Sequence, residues 1–217
     1  MNPNSLDDWL DFIDLNRPRE DEFGLNRLRP ITDIIFRSTI AEKIVVIGGT
    51  NGKGTTAEVL NNLLQESNFK IGLYTSPHLF KFNERIRING VPVSNSEIID
   101  AFEEVKNLKN DTRLTYFDYA TLAAFIIFAK NNLDVAILEI GLGGRYDPVN
   151  LVDPDISILT NVELDHQKWL GNTREQIGEE KSAIFRDGKI IIMGSNNMPL
   201  SVMKKVEDLN AKILQLE

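Results

Sequence analysis

The chain has 217 residues, 42% of them apolar and 26% charged, a composition that excludes disordered and fibrous classes and leaves room for one large domain or two small ones. A formal net charge of -8 excludes a general binder of the nucleic-acid backbone, which needs a basic face, although a local loop of N–H groups can still hold a small anion. With no cysteine there is no disulfide, thiolate metal site or thiol nucleophile.

In chain order, the opening MNPNSLDDWLDFIDL is acidic and lacks the basic-then-apolar order of a signal peptide. Residues 44–47, IVVI, are β-branched and run into glycines, which predicts a buried parallel strand and a turn. The following TTAEVLNNLLQES sets Val59, Leu60, Leu63 and Leu64 at helical spacing. A second strand is expected at 70–75, then a hairpin turning at Asn89-Gly90. Helices are predicted near 95–108 and 117–131, strands at 133–140 and 155–160, a helix near 173–184, a strand at 189–193, a helix near 199–210 and a last short strand KILQL. The apolar run ATLAAFIIFA at 120–129 is far short of the roughly 20 residues that cross a bilayer, so a cytoplasmic enzyme or binding protein is expected, with neither membrane nor nucleic acid as partner. Alternating strands and helices predict an α/β fold, a mostly parallel, doubly wound sheet.

Ligands of such sheets sit at the carboxyl ends of the strands. Those ends deliver Gly48 to Thr55, Thr75 to His78, Glu139 to Asp147 and Thr160 to His166. The stretch GGTNGKGTT, Gly48 to Thr56, departs from the strict phosphate-loop pattern G-x-x-x-x-G-K-[ST], since Gly54 separates Lys53 from the hydroxyls of Thr55 and Thr56. It reads either as a tight turn capped by threonine or as a phosphate loop, with Lys53 against phosphates and Thr55 or Thr56 on Mg²⁺. Glu139 closes an apolar strand, where it either pairs with a cation or emerges into solvent. His166 reads as a structural histidine or a ligand, Lys181 as a solvated helix lysine, and His78 as an ordinary loop residue. Arg85 and Arg87 are hairpin surface charges or a fork for a carboxylated substrate.

Taken in order, GTNGKGTT, TSPHLFKFNERIRING, LTYFDYATLAAF, LEIGLGGRYDPVN and LTNVELDHQKWLGNTREQIGEEKSAIFR resemble the folylpolyglutamate synthase and dihydrofolate synthase family of the Mur ligase superfamily, over nearly all of residues 5–190. The resemblance implies a Mur-ligase central-domain fold with ATP and Mg²⁺. Gly49, Thr50, Asn51, Gly52, Lys53, Gly54, Thr55 and Thr56 would form the nucleotide loop, with Thr55, Ser76, Glu139 and His166 on metal. Lys53, Glu139, His166 and Lys181 would carry catalysis, Lys181 matching a lysine that the family carbamylates. Ser76, Pro77, His78, Thr115, Phe117 and Asp147 would face dihydropteroate or a reduced folate, and L-glutamate would be the second substrate of a monomeric ligase. Where the family reads GGRLDATN this chain reads GGRYDPVN, and EKSAI replaces EKAGI. Family members are about twice as long, so residues 1–217 are expected to be an ATP-binding domain incomplete at its C-terminal end, lacking the domain that helps bind ATP and glutamate. The other readings are a non-catalytic nucleotide-binding remnant and a Mur-type ligase acting on a cell-wall precursor.

Overall fold

A computed structural model describes residues 3–18 and 24–215. Its strands are β1 (Lys43–Gly48), β2 (Ile71–Tyr74), β3 (Ile86–Ile88), β4 (Val91–Pro92), β5 (Val135–Glu139), β6 (Ile156–Leu159), β7 (Ile190–Met193) and β8 (Lys212–Gln215). The helices are α1 (Leu6–Leu15), α2 (Arg29–Ile35), α3 (Lys53–Glu66), α4 (Asn95–Leu108), α5 (Tyr116–Ala129), α6 (Gln167–Leu170), α7 (Arg174–Lys181) and α8 (Leu200–Glu207). One sheet of eight strands runs in the order β4-β3-β2-β5-β1-β6-β7-β8. From β2 to β8 all neighbours are parallel, and the β3–β4 hairpin adds an antiparallel edge turning at Asn89 and Gly90, both at positive φ.

The two sheet faces bury separate clusters. On one face, Val45, Ile47, Ile71, Leu73, Val135, Ile137 and Ile158 pack with Ala57 of α3. The other face carries the larger core, into which α1, α2, α4, α5, α7 and α8 all send side chains. The apolar α5, buried from Asp118 to Phe128, is the central helix of that side.

The sequence reading assigned no element before residue 44, yet α1 and α2 lie there. In α1 the Ser5 side chain accepts from Asp8 N–H and the Asp8 carboxylate answers to the N-cap, while Leu6, Trp9 and Ile13 bury one stripe at helical spacing. The stripe expected of α3 also differs: Val59 and Leu63 are exposed, and Ala57 and Asn61 are the buried residues.

β1 is central, and its register positions the chemistry. Ile47 lies opposite Glu139 of β5, and Gly48 opposite Leu159 of β6. The turn leaving β1 is therefore flanked by the Glu139 carboxylate on one side and by Thr160 to Glu163 on the other.

Candidate active site

The turn between β1 and α3 is latched to the segment after β6. Thr50 N–H donates to the Asn161 carbonyl (3.0 Å) and Asn51 N–H to Asn161 Oδ1 (3.0 Å), while the hydroxyl of Thr160 and the amide of Asn161 donate to the Asn51 carbonyl (2.7 and 3.1 Å). The hydroxyl of Thr50 accepts from Glu163 N–H at 3.0 Å. The N–H groups of Thr50 and Asn51 thus hold the loop in shape and are not free to receive an anion. Gly52 takes a left-handed conformation at φ 79° as the N-cap of α3, which has no side-chain cap. The first-turn N–H groups of Lys53, Gly54 and Thr55 have no intrahelical acceptor, the arrangement that receives anions at helix N-termini. Thr56 spends its hydroxyl on the Gly52 carbonyl (2.8 Å), whereas Thr55 is exposed and its hydroxyl makes no hydrogen bond among the described residues.

Two lysines converge on the loop. Lys53 Nζ folds back onto the carbonyls of Gly49 (3.1 Å) and Thr50 (3.3 Å), and Lys181 Nζ donates to the same Gly49 carbonyl at 2.8 Å. Lys181 is only 4% exposed, so the reading of a solvated helix lysine is corrected: the last turn of α7 carries it under the loop. Burial and the neighbouring Lys53 push its ammonium down to about 8, against an opposing pull from Asp165 and Asp147.

Glu139, also 4% exposed, accepts from Ser76 N–H at 2.9 Å. Burial pushes its carboxyl above the ordinary range, while that hydrogen bond, Lys53 and Arg85 pull it back. A β-carbon at Gly54 would stand 3.7 Å from both Glu139 oxygens, in contact with the carboxylate. The extra glycine after the lysine thus leaves that carboxylate open toward the loop. Oxygen donors from Glu139, Thr55 and Ser76 suit Mg²⁺, which takes few protein ligands and completes its shell with phosphate oxygens and water. Among the described residues no group of three or more His, Asp or Glu side chains forms a self-sufficient metal cage, so these residues fit a cation held jointly with a nucleotide.

A cavity of about 610 Å³ opens from this point along the strand ends, and Lys53, Ser76, Pro77, Phe117, Asp147 and His166 all line it. The Ser76-Pro77 peptide is cis. His166, at φ 48° and half exposed, sits at the mouth beside Asp165, with Nε2 3.6 Å from the carboxylate. Asp147 is buried, accepting from the N–H groups of Gly141, Leu142 and Val149, each at 2.9 Å. Burial outweighs those three bonds and pushes its carboxyl up to about 7. The cavity continues past Tyr146, Pro148 and Trp169 into a recess of about 440 Å³ that Thr115 lines with Arg27 and Asp118. Thr115 works locally there: its hydroxyl caps α5, accepting from Asp118 N–H, and the Asp118 carboxylate returns to Thr115 N–H and pairs with Arg27 at 2.5 Å.

His78 does not line the cavity; its Nδ1 accepts from Arg85 Nε at 2.8 Å, so it stands behind an arginine that does. Of the two hairpin arginines, Arg87 is bound by both oxygens of Glu58 (3.2 and 2.5 Å), and Arg85 faces the cavity. The latch residues Thr160 and Asn161 and the wall residue Tyr146 fall within the strand-end clusters the sequence delivers, but neither they nor Trp169 is given a role of its own there. Nothing local marks them, because their roles arise from strand neighbours more than 100 residues apart or from the two cavities meeting.

Residues 47–216 match the family model of the Mur ligase middle domain. A dihydrofolate synthase/folylpolyglutamate synthase from Buchnera aphidicola subsp. Baizongia pistaciae is 44% identical over 204 residues, which cover 90% of this chain and 46% of that protein. The structure of Escherichia coli FolC in complex with DHPP and ADP superposes with a TM-score of 0.94 at 37% identity, over 99% of this chain and 52% of that one. A bifunctional folylpolyglutamate synthase/dihydrofolate synthase with Mn, AMPPNP and L-glutamate bound gives 0.92 at 38% identity, over 99% and 53%. The chain therefore spans about half the length of the relatives it matches. With the family model matching residues 47–216 and the parallel sheet superposing on these relatives, the chain belongs to the Mur ligase middle-domain family.

Proposed function

We propose that this chain is the nucleotide- and acceptor-binding portion of an ATP-dependent ligase that joins L-glutamate to dihydropteroate, and to reduced folates, in the cytoplasm and as a monomer. The observation that carries the reading is that one cavity of about 610 Å³ is lined by Lys53 and Ser76 together with Phe117 and Asp147, and shares Tyr146, Pro148 and Trp169 with the adjoining recess. That is the layout for a flat ring acid whose carboxylate reaches a nucleotide. The relatives' structures hold DHPP, ADP, AMPPNP, Mn and L-glutamate, in keeping with it.

A carboxylate is a poor electrophile. In the proposed reaction one of its oxygens attacks the γ-phosphorus of ATP, the bond to the ADP oxygen breaks, and an acyl phosphate forms. The glutamate amine then attacks the acyl carbon, the carbon–oxygen bond to phosphate breaks, and amide, inorganic phosphate and a proton are released. The protein's part is positioning and electrostatics. The first-turn N–H groups of α3 and Lys53 hold phosphate oxygens, Thr55 and Glu139 hold Mg²⁺ with Ser76 and His166 about a second metal position, and Asp147 with Phe117 faces the ring. When bound, Mg²⁺ neutralises charge on the transferring group.

Lys181 is proposed to act as a carbamate. Its lowered ammonium range makes the neutral amine accessible near pH 8. That amine adds to CO₂, forming a nitrogen–carbon bond and losing one proton, and gives an anion beneath the loop. A ¹³C carbamate resonance in labelled bicarbonate, present in the wild type and missing from Lys181→Met, is the expected result; equal spectra would remove the role.

The reading is tested on the gene product of full family length: with dihydropteroate, L-glutamate and ATP, mass spectrometry should detect dihydrofolate and equimolar ADP. No product from dihydropteroate or any reduced folate would overturn it. Phosphate release stimulated by a cell-wall precursor instead would favour a different Mur-type ligase, and neither product nor phosphate release would favour a remnant.

A further inference from the structure

Arg85 ends the 3-10 turn Phe82–Arg85, immediately before β3, and is 8% exposed. Its Nε is fixed on His78 Nδ1, and its guanidinium carbon lies 5.8 Å from the ring centre of Phe82 and 5.4 Å from that of Tyr116. Among the described residues no carboxylate forms an ion pair with it, although Arg87, two positions on, is paired through both oxygens of Glu58. Glu139 feels its charge without pairing with it, and the imidazole and two rings that hold the guanidinium supply no negative charge at contact. His78 Nδ1 accepts from Arg85 Nε, so that ring nitrogen carries no proton. The terminal nitrogens of Arg85 lie beside the Tyr116 side chain and pair with no carboxylate among the described residues, on a residue that lines the cavity shared by Lys53 and Phe117.

We propose that Arg85 is the clamp for the carboxylate of the acceptor acid: its two terminal nitrogens receive that carboxylate as a planar fork, on the aromatic side of Glu139, and hold it for the phosphate loop. This rests on the proposed function and adds to it a residue that reads the group to be activated. Phosphate binding is already provided by the start of α3 and by Lys53. Arg85 shares no hydrogen bond with the loop or with Lys53 among the described residues and is held by His78, Phe82 and Tyr116, so its natural ligand is the acid and not the nucleotide. A planar fork matched to two oxygens is the feature a lysine would not reproduce.

The test is equilibrium binding of two probes to this chain, dihydropteroate and its neutral methyl ester, with ADP as the control ligand. Arg85→Met is expected to weaken dihydropteroate by about tenfold or more, the loss typical of a charge-assisted pair, while leaving the ester and ADP within about twofold of wild type. Arg85→Lys, which keeps the charge and loses the fork, is expected to weaken the acid by at least about threefold and the ester not at all; it carries the test should the methionine variant fail to fold. His78→Ala, which frees Nε, should fall on the same side, weakening the acid selectively. Equal losses for acid and ester would make Arg85 a structural residue, and no loss for either would make it a distant counter-charge for Glu139; both overturn the proposal. Wild-type chain that binds ADP but neither pteroate probe would overturn the proposed function itself, and the clamp with it.

Discussion

Gly49 is held at φ 142°, and a β-carbon there would stand 1.8 Å from Thr160 Oγ1. Both the backbone conformation and the latch to β6 therefore require glycine. Gly49→Ala is expected to cost about 2–4 kcal/mol in urea melts, and removing the clashing hydroxyl with Thr160→Ala should restore only part of it, since the strained φ remains. Lys181 makes a separate prediction. In the unfolded chain its amine titrates near 10.5 and in the native protein near 8. Between those values the unfolded chain holds more protons, so native stability rises with pH across the window. Below about 8 the folded protein carries the full cost of the buried ammonium, on the order of 3 kcal/mol. Lys181→Met leaves Lys53 still donating to the Gly49 carbonyl. In CO₂-free buffer the variant should be more stable than wild type at pH 7, with the gap closing toward pH 10; a gap of fixed size would refute the buried charge. Glu139 was legible as a candidate because a carboxylate ends an apolar strand, and of the two readings the sequence offers for it the structure excludes the solvent-exposed one. Lys181 was legible only through the family resemblance, because GEEK in a polar stretch looks solvated, and its burial is created by a loop 132 residues away.

At the scale of elements, short apolar, largely β-branched runs identified the six parallel strands, three of them running directly into glycine, and the Asn-Gly pair located the hairpin. Helices with an apolar majority were equally plain. The N-terminal helices were missed because the acidic opening was weighed as a targeting segment, although Ser5 and Asp8 form a capping box and Trp9 and Ile13 continue its apolar face. In α3 half of the expected stripe holds: Leu60 and Leu64 pack with Ala57 against the sheet, while Val59 and Leu63 are exposed, and Gly54 lets the start of the helix lie close to Glu139 of β5. The same helix separates its two threonines. Thr56 serves the helix and Thr55 is left for ligand, so Thr55→Ala should weaken Mg²⁺-dependent ATP binding by about tenfold, or about 1.4 kcal/mol, while Thr56→Ala changes it by less than about threefold. Calorimetric titration with and without Mg²⁺ measures this, and equal effects of the two substitutions would refute the assignment. At the start of α5, Thr115 caps a helix that carries Phe117 into the cavity. Thr115→Ala should therefore cost about 1 kcal/mol of stability and weaken dihydropteroate along with it, which separates a capping loss from a direct contact only if Thr115→Ser restores both.

For the whole molecule, the loop, Glu139 and Lys181 come from β1, β5 and α7, and the proposed acceptor wall from the ends of β2 and α5, so the two proposed ligands would brace segments far apart in the chain. A ligand that binds only the folded state stabilises it by RT ln(1 + [L]/Kd), about 2.7 kcal/mol at a hundredfold excess over Kd. For a domain of this size each kcal/mol moves the melting temperature by about 2–4 °C. Saturating MgATP should thus raise the melting temperature of the 217-residue chain by about 5–10 °C. Dihydropteroate should add a further shift, because its cavity shares Lys53 with the nucleotide loop but is walled largely by other residues. Glu139→Gln should lose most of the nucleotide shift and keep the dihydropteroate one. The chain spans half of the relatives it matches, and the proposal assigns glutamate capture to the other half, so L-glutamate alone should move the melting temperature of this chain by less than about 1 °C. A glutamate shift as large as that of ATP would place a complete amino-acid site within these 217 residues, and the division of labour between the two halves of the enzyme would have to be redrawn.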